Sequence, residues 1–331
     1  MTGLTTRATV MRSTGGRDVL VEEHDWPIRA PGPDEVLVRV EAAGVNFMDI
    51  YHRRGDYAVT TPCVPGIEGA GTVEATGTNS TALVRGQRVA FLRTILEPGA
   101  YAEHVTVPTR QVVSLPNNVE TSDAAAVLLQ GISSHYLTHA SYEVREGDVV
   151  LVHAAAGGLG LLLVQMAKTA GATVIGTTST QEKARRAEAV GADHVILYTS
   201  EGIVDSVMEL TNGEGVHAVF DGVGKATFDA SLAALRNRGT LVVFGTPSGD
   251  LEPLDTWRLW DRSLKLTRTQ IKHHIETEQE YRMRAEAVFG AVSRRDLQVT
   301  IDSRFQLSDA GAAQSRLEER QNIGKVLIVP G

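Results

Sequence analysis

The sequence has little of what several protein classes require. Only one of its 331 residues is a cysteine, Cys63, which excludes a disulfide framework or a cysteine-rich metal lobe within one chain. No apolar run reaches the roughly 18 residues that span a bilayer. The N-terminal stretch also has no hydrophobic signal core. We therefore expect a soluble, cytoplasmic protein with no membrane partner.

Positive charges are also outnumbered by negative ones. The chain has 32 Lys and Arg against 40 Asp and Glu, a formal net charge of −8, and the two signs are interspersed. A nucleic-acid groove would need a basic patch, so we expect no nucleic-acid partner. At about 150 residues per domain, the length favours two domains.

The N-terminal part, residues 1 to about 130, is typical of a β-rich domain. Short runs of alternating apolar and polar residues are separated by turn signals. Two segments, 42–57 and 61–77, interrupt this alternation with glycines and polar residues. Because loops on a rigid β scaffold often carry function, we predict that both segments are loops of the substrate site.

From about residue 122 helices alternate with strands. The pattern predicts helices at 123–138, 181–190, 201–211 and 225–236, and strands at 173–180, 193–198, 216–220 and 239–245. Such alternation is typical of an α/β fold with a doubly wound parallel sheet. In such a sheet, ligands bind beyond the carboxyl ends of the strands.

Residues 149–163, VVLVHAAAGGLGLLL, contain the main motif. A buried strand is followed by a small-residue turn and a helix, and the turn fits A-x-G-x-x-G with Ala155 in the first position. Gly157 lets the backbone approach a pyrophosphate, and Gly160 lets the helix pack closely on the strand. We predict a pyrophosphate site that includes Gly157, Gly158 and Leu159.

Hydroxyl side chains occupy the end of the next strand, where NAD-binding folds usually have Asp or Glu. The chain reads Thr177, Thr178, Ser179, Thr180 and then Lys183. A carboxylate would repel a 2′-phosphate, whereas hydroxyls and an ammonium would bind one. We therefore predict NADPH over NADH, with the 2′-phosphate held by Thr177, Ser179 and Lys183.

Ordered motifs extend over nearly the whole chain. They include PGPDEVLVRVEAAGVNFMDIYHRRGDY at 31–57, PGIEGAGTVEATG at 65–77, the stretch 145–180, FDGVG at 220–224, GTLVVFGTPSG at 239–249 and GKVLIVP at 324–330. Together they resemble the zinc-independent quinone oxidoreductases of the medium-chain dehydrogenase/reductase superfamily, the group that includes zeta-crystallin. The resemblance implies a GroES-like β-rich catalytic domain (1–130), a Rossmann NADPH-binding domain (131–270) and a return segment (271–331) that completes the catalytic domain.

The resemblance also bears on metal binding. The zinc-dependent branch of the superfamily has a ligating cysteine and a ligating histidine where this chain has Asn46 and Ile67. Since isoleucine has no lone pair to donate, we expect no catalytic metal. Direct hydride delivery from NADPH is the chemistry that remains.

Further site residues follow from the resemblance alone. The residues expected around the cofactor are Asn46, Asp49, Tyr136, Tyr198, Phe244, Gly245, Thr246, Thr267, Thr269 and Asn322, with Arg320 competing with Asn322. Separately from the resemblance, Tyr51 and Tyr57 join Asn46 as candidates for the substrate pocket, because a flat aromatic substrate would stack well on their rings.

Several candidates have a structural alternative. Asn46 could satisfy its own loop backbone, Tyr136 could be a core aromatic and Phe244 could belong to the sheet core. His153 is more often a hydrogen-bonded structural residue than a general acid at such a position. We also expect His273 and His274 at the surface, and an inert thiol at Cys63.

Three functions stay open. The first is NADPH-dependent reduction of quinones, and the second is NADPH-dependent reduction of the double bond of enones or 2-alkenals. The third is a non-enzymatic NADPH-binding protein with a structural or RNA-binding role, which the acidic balance disfavours. Residues 264–271 resemble an outer strand that would be exposed at the sheet edge, so we expect a homodimer.

Overall fold

The computed structural model describes residues 4–331. Contacts divide the chain into two units, one formed by Met1–Leu129 with Thr277–Gly331 and the other by Gln130–Glu276. The second boundary expected from the sequence, 270/271, lies earlier in the chain. A short 3₁₀ helix, Ile271–His274, belongs to the second unit, where the His274 ring stacks on Tyr136.

The regular elements are numbered in chain order. The strands are β1 (Leu4–Met11), β2 (Leu20–Ile28), β3 (Glu35–Gly44), β4 (Glu68–Thr76), β5 (Arg88–Leu92), β6 (His104–Pro108), β7 (Val112–Ser114), β8 (Val149–Val152), β9 (Thr173–Thr178), β10 (His194–Leu197), β11 (Val216–Asp221), β12 (Leu235–Val243), β13 (Lys265–Arg268), β14 (Ile301–Phe305) and β15 (Lys325–Ile328). The helices are α1 (Phe47–Arg54), α2 (Thr121–Tyr136), α3 (Gly158–Thr169), α4 (Gln181–Ala189), α5 (Ile203–Leu210), α6 (Phe228–Ala234), α7 (Trp257–Trp260), α8 (Glu278–Arg294) and α9 (Ala310–Glu318).

The second unit contains a parallel sheet with the strand order β10-β9-β8-β11-β12-β13. Its side chains alternate between two buried clusters. Val150 and Val174 belong to one cluster, whereas their neighbours Leu151 and Ile175 belong to the other. Because both faces are covered, the strands are apolar almost throughout, as parallel strands usually are. The predicted doubly wound fold is confirmed.

The first unit contains a mainly antiparallel sheet with the order β14-β15-β3-β4-β5-β7, and β6 pairs with β3. Its two C-terminal strands come from the return segment. β15 runs antiparallel to β3, with Leu327 opposite Gly44 and Ile328 opposite Ala43. This register brings the start of β15, at Lys325, into the same region as the end of β3.

Neither segment expected to be a loop is wholly irregular. The first, 42–57, contains the end of β3 and all of α1, and the second, 61–77, contains β4. Asn46 and Asp49 form a capping box at the start of α1, and Gly55 ends the helix with a left-handed backbone, φ 85°. Such local hydrogen bonds let a short helix form in a polar, glycine-containing segment.

Smaller differences concern the ends of elements. Residues 225–236 were predicted as one helix, but α6 is shorter and β12 already begins at Leu235. The segment 137–141 after α2 is a π-helical turn. Within residues 4–331, no helix is long and apolar enough to cross a membrane.

Candidate functional site

The turn after β8 packs so closely that larger side chains would not fit. Gly157 is the N-cap of α3, and Ala154 has a left-handed backbone, φ 51°. A Cβ on Gly160 would overlap the Ala154 carbonyl oxygen and lie 2.8 Å from the Cα of Ala155. A Cβ on Gly176, in the adjacent strand, would lie 2.8 Å from the Ala155 Cβ. The first N–H groups of α3 are thus held close to the end of β8, as a pyrophosphate site requires.

Replacing Gly160 by alanine is expected to lower the free energy of unfolding by about 1–3 kcal/mol and to weaken dinucleotide binding. The atoms in the way are backbone atoms, which cannot rotate aside. Gly157→Ala is the matched control for stability only, because its Cβ would lie 3.3 Å from the Ala154 oxygen, a tight but tolerable distance, while Gly157 itself belongs to the predicted pyrophosphate site. Urea denaturation and a fluorescence titration with NADPH measure both effects. Equal losses of unfolding free energy in the two variants would show that close packing at Gly160 is not the cause of the destabilisation.

Three residues predicted to contact the cofactor, Ser179, Lys183 and Tyr198, lie just beyond the carboxyl ends of β9 and β10. Thr178 is in register with Leu197, so Ser179 and Tyr198 leave the sheet side by side. Ser179 is half-buried, and Tyr198 is 40% exposed. Lys183 lies in the first turn of α4 and is half-buried. A phosphate at this edge would meet hydroxyl groups, an ammonium and the N-terminus of a helix.

Thr177 belongs to a different group of residues, inside the unit. Its hydroxyl lies 2.9 Å from Nδ1 of His153, and Nε2 of His153 lies 3.0 Å from the Ser231 hydroxyl. Ser231 in turn donates to Oδ2 of Asp221 over 2.7 Å. Thr177 is 1% exposed, and its hydroxyl is the first group in this series of buried hydrogen bonds. We therefore correct the expectation for Thr177 and assign its side chain to the interior.

The Asp221 carboxylate fixes the turn that follows β11. Besides Ser231, it accepts hydrogen bonds from the backbone N–H groups of Val223 and Gly224 and from the Thr227 hydroxyl. Burial lowers the pKa of His153, while the nearby Asp221 acts in the opposite direction. His153 is thus a buried, hydrogen-bonded side chain, in line with its expected structural role. Asp221 was not among the predicted site residues.

Three residues predicted near the nicotinamide, Phe244, Gly245 and Thr246, follow β12 and are half-buried. They lie against the turn that Asp221 fixes. A Cβ on Gly222 would overlap the Phe244 ring, and one on Gly224 would lie 2.7 Å from the Cα of Thr246. The turns after β11 and β12 are therefore packed together at the carboxyl end of the sheet, where ligands of such sheets bind.

Thr267 and Thr269 lie in and just after the edge strand β13. Oγ1 of Thr269 is 2.8 Å from Nε2 of His274, whose ring stacks on Tyr136 with a centroid distance of 4.1 Å and an angle of 5°. Tyr136 itself is 3% exposed. The expectation of a surface position is right for His273, which is exposed, but wrong for His274, which is half-buried.

In the first unit, Asn46 is part of a buried ion-pair cluster. Its Nδ2 donates to the Gly44 carbonyl (3.1 Å) and to Oε1 of Glu68 (2.9 Å), and its Oδ1 accepts from Nζ of Lys325 (2.8 Å). Lys325 and Glu68 form an ion pair and are 3% and 0% exposed. A Cβ on Gly44 would lie 2.7 Å from Cε of Lys325, so the glycine leaves room for the pair.

Sequence reasoning missed Glu68 and Lys325. The cluster that they form, with Asn46 between them, is the ion-pair cluster referred to below. Glu68 also accepts the backbone N–H of Leu129 over 2.8 Å, so both of its oxygens are bonded. Because the Asn46 amide is held by this cluster, a contact between Asn46 and a nicotinamide stays a prediction.

Asp49 lies next to the cluster, at the start of α1. Its Oδ2 accepts the Asn46 backbone N–H (2.9 Å) and the Tyr101 hydroxyl (2.8 Å). Burial raises the pKa of Asp49 to about 7, and burial together with Asp49 holds the pKa of Tyr101 well above its usual value. Burial lowers the pKa of Lys325, and Glu68 opposes this effect. Asp49 can therefore hold or release a proton near neutral pH.

The two predicted pocket tyrosines lie together. The ring centroids of Tyr51 and Tyr57 are 5.5 Å apart, and Phe47 lies 6.2 Å from Tyr51. Tyr57 is 40% exposed. Such a group of rings offers an aromatic surface on which a flat substrate could stack.

The remaining candidates have varied surroundings. Asn322 is 7% exposed and its amide donates to the Gly324 carbonyl over 2.8 Å. Arg320 has a left-handed backbone, φ 56°. A cofactor contact by either residue stays a prediction. Burial raises the pKa of Cys63 to about 11, so its thiol is a weak nucleophile at neutral pH.

The donors present do not fit a catalytic zinc site. Ile67 is buried and offers no lone pair, and the Asn46 amide is occupied by the ion-pair cluster. In the part of the chain that the structure describes, no three His, Cys, Asp or Glu side chains are arranged to hold a metal ion. A structural or catalytic zinc normally needs three or four such ligands.

Two protein-family models match parts of this chain. The family model described as alcohol dehydrogenase GroES-like domain matches residues 32–117, and the one described as zinc-binding dehydrogenase matches 158–286. A GroES-like unit combined with a Rossmann-type nucleotide-binding sheet defines the medium-chain dehydrogenase/reductase class. Quinone oxidoreductase from Pseudomonas aeruginosa is 40% identical, with 96% of this chain and 97% of the relative covered. This chain belongs to the quinone oxidoreductase family of that class.

Two further relatives bear on ligands. A 2-haloacrylate reductase from Burkholderia is 37% identical, with 98% of each chain covered. A mycobacterial protein solved in complex with NADPH is 42% identical, has a TM-score of 0.92, and is matched over 98% of this chain and 100% of its own.

Proposed function

We propose that this protein reduces quinones with NADPH, by hydride transfer and without a catalytic metal. The observation that carries the proposal is the closely packed turn at the N-terminus of α3, in a chain similar to a quinone oxidoreductase over nearly its whole length. The lack of suitable zinc donors at Ile67 and Asn46 supports metal-free chemistry. A cytoplasmic location stays a prediction.

The family resemblance and the positions of the residues at the carboxyl ends of the strands support a set of residues that would hold NADPH. Gly157, Gly158 and Leu159 would bind the pyrophosphate through the start of α3. Ser179, Lys183 and Tyr198 would bind the 2′-phosphate, and Phe244, Gly245 and Thr246 would lie near the nicotinamide end. When bound, NADPH supplies a hydride. The protein binds and orients the reactants, which is the main contribution expected of it in cofactor chemistry.

Steady-state NADPH oxidation with a panel of acceptors tests the proposal. The panel contains 1,4-benzoquinone, 9,10-phenanthrenequinone, 2-alkenals and 2-haloacrylate. We expect turnover with the quinones. The similarity to a 2-haloacrylate reductase favours compounds with activated double bonds as the second class of substrate. If only the 2-alkenals or 2-haloacrylate are turned over, the protein is a double-bond reductase and not a quinone reductase. NADPH binding with no turnover of any acceptor would instead favour a non-enzymatic role.

Replacing Lys183 by alanine is expected to raise the KM for NADPH by about tenfold or more and to leave the KM for NADH nearly unchanged. A charge-assisted hydrogen bond to phosphate is worth about 1.5–3 kcal/mol. Only NADPH would lose this bond in the variant, because NADH has no 2′-phosphate. Arg185→Ala, an exposed change on the same helix α4, is the control. A similar rise for both cofactors would contradict the assignment of Lys183.

We also propose a homodimer formed along β13. This strand ends the parallel sheet of the described chain, so one side of its backbone has no strand partner there. Nearby along the chain, Trp257 and Trp260 are 69% and 70% exposed, with ring centroids 5.4 Å apart. Pairing with β13 of a second copy would cover the edge. Sedimentation should give the mass of a dimer, and a monomer at all concentrations would contradict the proposal.

A further inference from the structure

The helices α1 and α9 of the first unit enclose polar atoms that have no hydrogen-bond partner in the part of the chain that the structure describes. They are Oδ1 of Asp49, both ring nitrogens of His52, Nε and Nη1 of Arg53, and both amide atoms of Gln314. All four side chains are at most 3% exposed. Buried polar atoms are nearly always hydrogen-bonded, to protein or to ordered water. So many unpartnered atoms in one place therefore point to a ligand of their own.

The unpartnered atoms lie on facing sides of the two helices. Asp49, His52 and Arg53 have the i, i+3, i+4 spacing that puts side chains on one side of a helix. Gln314 is four residues before Glu318 in α9, and Nη2 of Arg53 donates to both Glu318 oxygens at 2.8 and 2.9 Å. This ion pair joins the two helix faces at one end.

The other end of the interface is closed by Tyr101. Its hydroxyl donates to Oδ2 of Asp49 over 2.8 Å, and the Gln314 amide lies beside the same hydroxyl without the geometry of a hydrogen bond. Polar side chains thus continue from Asp49 to Glu318. The Glu318 carboxylate is 16% exposed and also pairs with Arg54, which is 49% exposed. The route begins at the surface and ends at Asp49.

We propose that the α1–α9 interface binds a small cluster of water molecules and that this cluster conducts protons between the surface at Glu318 and the Asp49 carboxyl. Water fits the chemistry, because the unpartnered atoms include both donors and acceptors and Arg53 already has a carboxylate partner in Glu318. A buried water typically makes two to four hydrogen bonds to such atoms. A bound anion would face the acceptor oxygens of Asp49 and Gln314 as well as the donors, whereas water can serve both.

The role of this route in turnover rests on the proposed function. Reduction of a quinone to a hydroquinone adds two electrons and two protons. The hydride from NADPH carries both electrons and one hydrogen nucleus, so one further proton is taken up from the solvent. In this proposal Asp49 gives that proton to the reduced quinone oxygen, which becomes the second hydroxyl of the hydroquinone. The carboxylate that remains then takes up a proton from bulk water through Glu318 and the water cluster. NADP⁺ and hydroquinone are the balanced products.

The charged and titratable groups around Asp49 suit this role. On its own helix these are His52 and Arg53. From β4 and β15 they are Glu68 and Lys325, which oppose each other, and Tyr101 donates from the loop before β6. Burial raises the pKa of Asp49 to about 7, so the carboxyl can exchange a proton near neutral pH.

The first test reads the Asp49 proton directly and needs no enzyme activity. Infrared difference spectra of wild type against Asp49→Asn, below pH 7, isolate the band of the protonated carboxyl. On transfer to D₂O this band should shift within the mixing time of the experiment in the wild type. It should shift about tenfold more slowly in Gln314→Met and His52→Leu, which remove the water partners. A wild-type band that exchanges as slowly as in these variants would overturn the proposal.

The second test reads turnover. Gln314→Met is nearly isosteric, and replacing unpartnered polar atoms by apolar ones is often neutral or stabilising, so the variant should fold. We expect kcat with a quinone to fall about tenfold, with a larger solvent deuterium isotope effect and an unchanged Kd for NADPH. Gln279→Met, exposed on α8, is the control.

The two tests separate this inference from the proposed function. If the wild type turns over no quinone, the proposed function fails, but rapid exchange of the Asp49 proton would still establish the water cluster. If quinones are turned over and Gln314→Met changes neither kcat nor the isotope effect, the proton route is wrong even though the reaction is right.

Discussion

Replacing Lys325 by methionine is expected to lower the free energy of unfolding by about 3–5 kcal/mol at pH 7. Within residues 4–331, the substitution removes the only ammonium bonded to Glu68 and leaves a carboxylate that is 0% exposed without its counter-charge. Oδ1 of Asn46 also loses its donor. The backbone N–H of Leu129 and the Asn46 amide still bind Glu68, but neutral donors compensate a buried charge only in part.

Urea denaturation of the wild type and of Lys325→Met measures this loss. Lys272→Met, at an exposed lysine, is the control and should change the stability by less than about 0.5 kcal/mol. The double variant Glu68→Gln with Lys325→Met should recover much of the loss, because the remaining amide is neutral and still accepts hydrogen bonds. If Lys325→Met lowers the free energy of unfolding by less than about 1 kcal/mol, the Glu68–Lys325 ion pair is not fully shielded from water.

The ion-pair cluster also shows what sequence patterns do not contain. Glu68 and Lys325 are 257 positions apart and meet only because β15 returns to pair with β3. In the sequence, each is a single charge beside glycine in an apolar strand. The apolar runs around them predict strands, but no local pattern states which strand lies next to which. The missed helix α1 has a related cause, since its capping box is recognisable only once Asn46 is known to end an extended segment.

The cofactor end was more predictable because its signals are local. The strand Val149–Val152, the following turn and the close approach at Gly160 agree with the structure residue by residue. Contact of these residues with NADPH stays a prediction. A turn that joins a buried strand to a helix is defined within about a dozen residues, so neighbouring chain segments cannot easily override it.

Thr177 was misplaced although the alternation of side chains along a strand contains the answer. Leu151, Ile175 and Val219 face the same buried cluster. Two residues later on each strand stand His153, Thr177 and Asp221, which therefore point to that same face. Because the three side chains share one face of the sheet, they can be joined by hydrogen bonds through Ser231. Ser179 lies just beyond the strand, so this alternation does not direct its side chain to the interior.

The stability of the protein should fall between about pH 4 and pH 7 because of Asp49. Burial raises the pKa of its carboxyl from 3.8 to about 7 in the folded protein. The folded state therefore holds the proton more tightly than the unfolded state. The resulting contribution to stability is complete below pH 4 and is lost as the pH rises through 7. A shift of this size corresponds to about 4 kcal/mol.

Replacing Asp49 by asparagine should remove this loss. The amide oxygen can still accept the Asn46 N–H and the Tyr101 hydroxyl, but the side chain never becomes charged. We expect Asp49→Asn to be within about 1 kcal/mol of the wild type at pH 4 and up to about 4 kcal/mol more stable at pH 8. Asp56→Asn, at an exposed carboxylate shortly after the end of α1, is the control for general pH effects. If urea denaturation gives parallel pH profiles for the wild type and Asp49→Asn, the Asp49 carboxyl is not the group whose burial sets them, because only its ionisation distinguishes the two proteins.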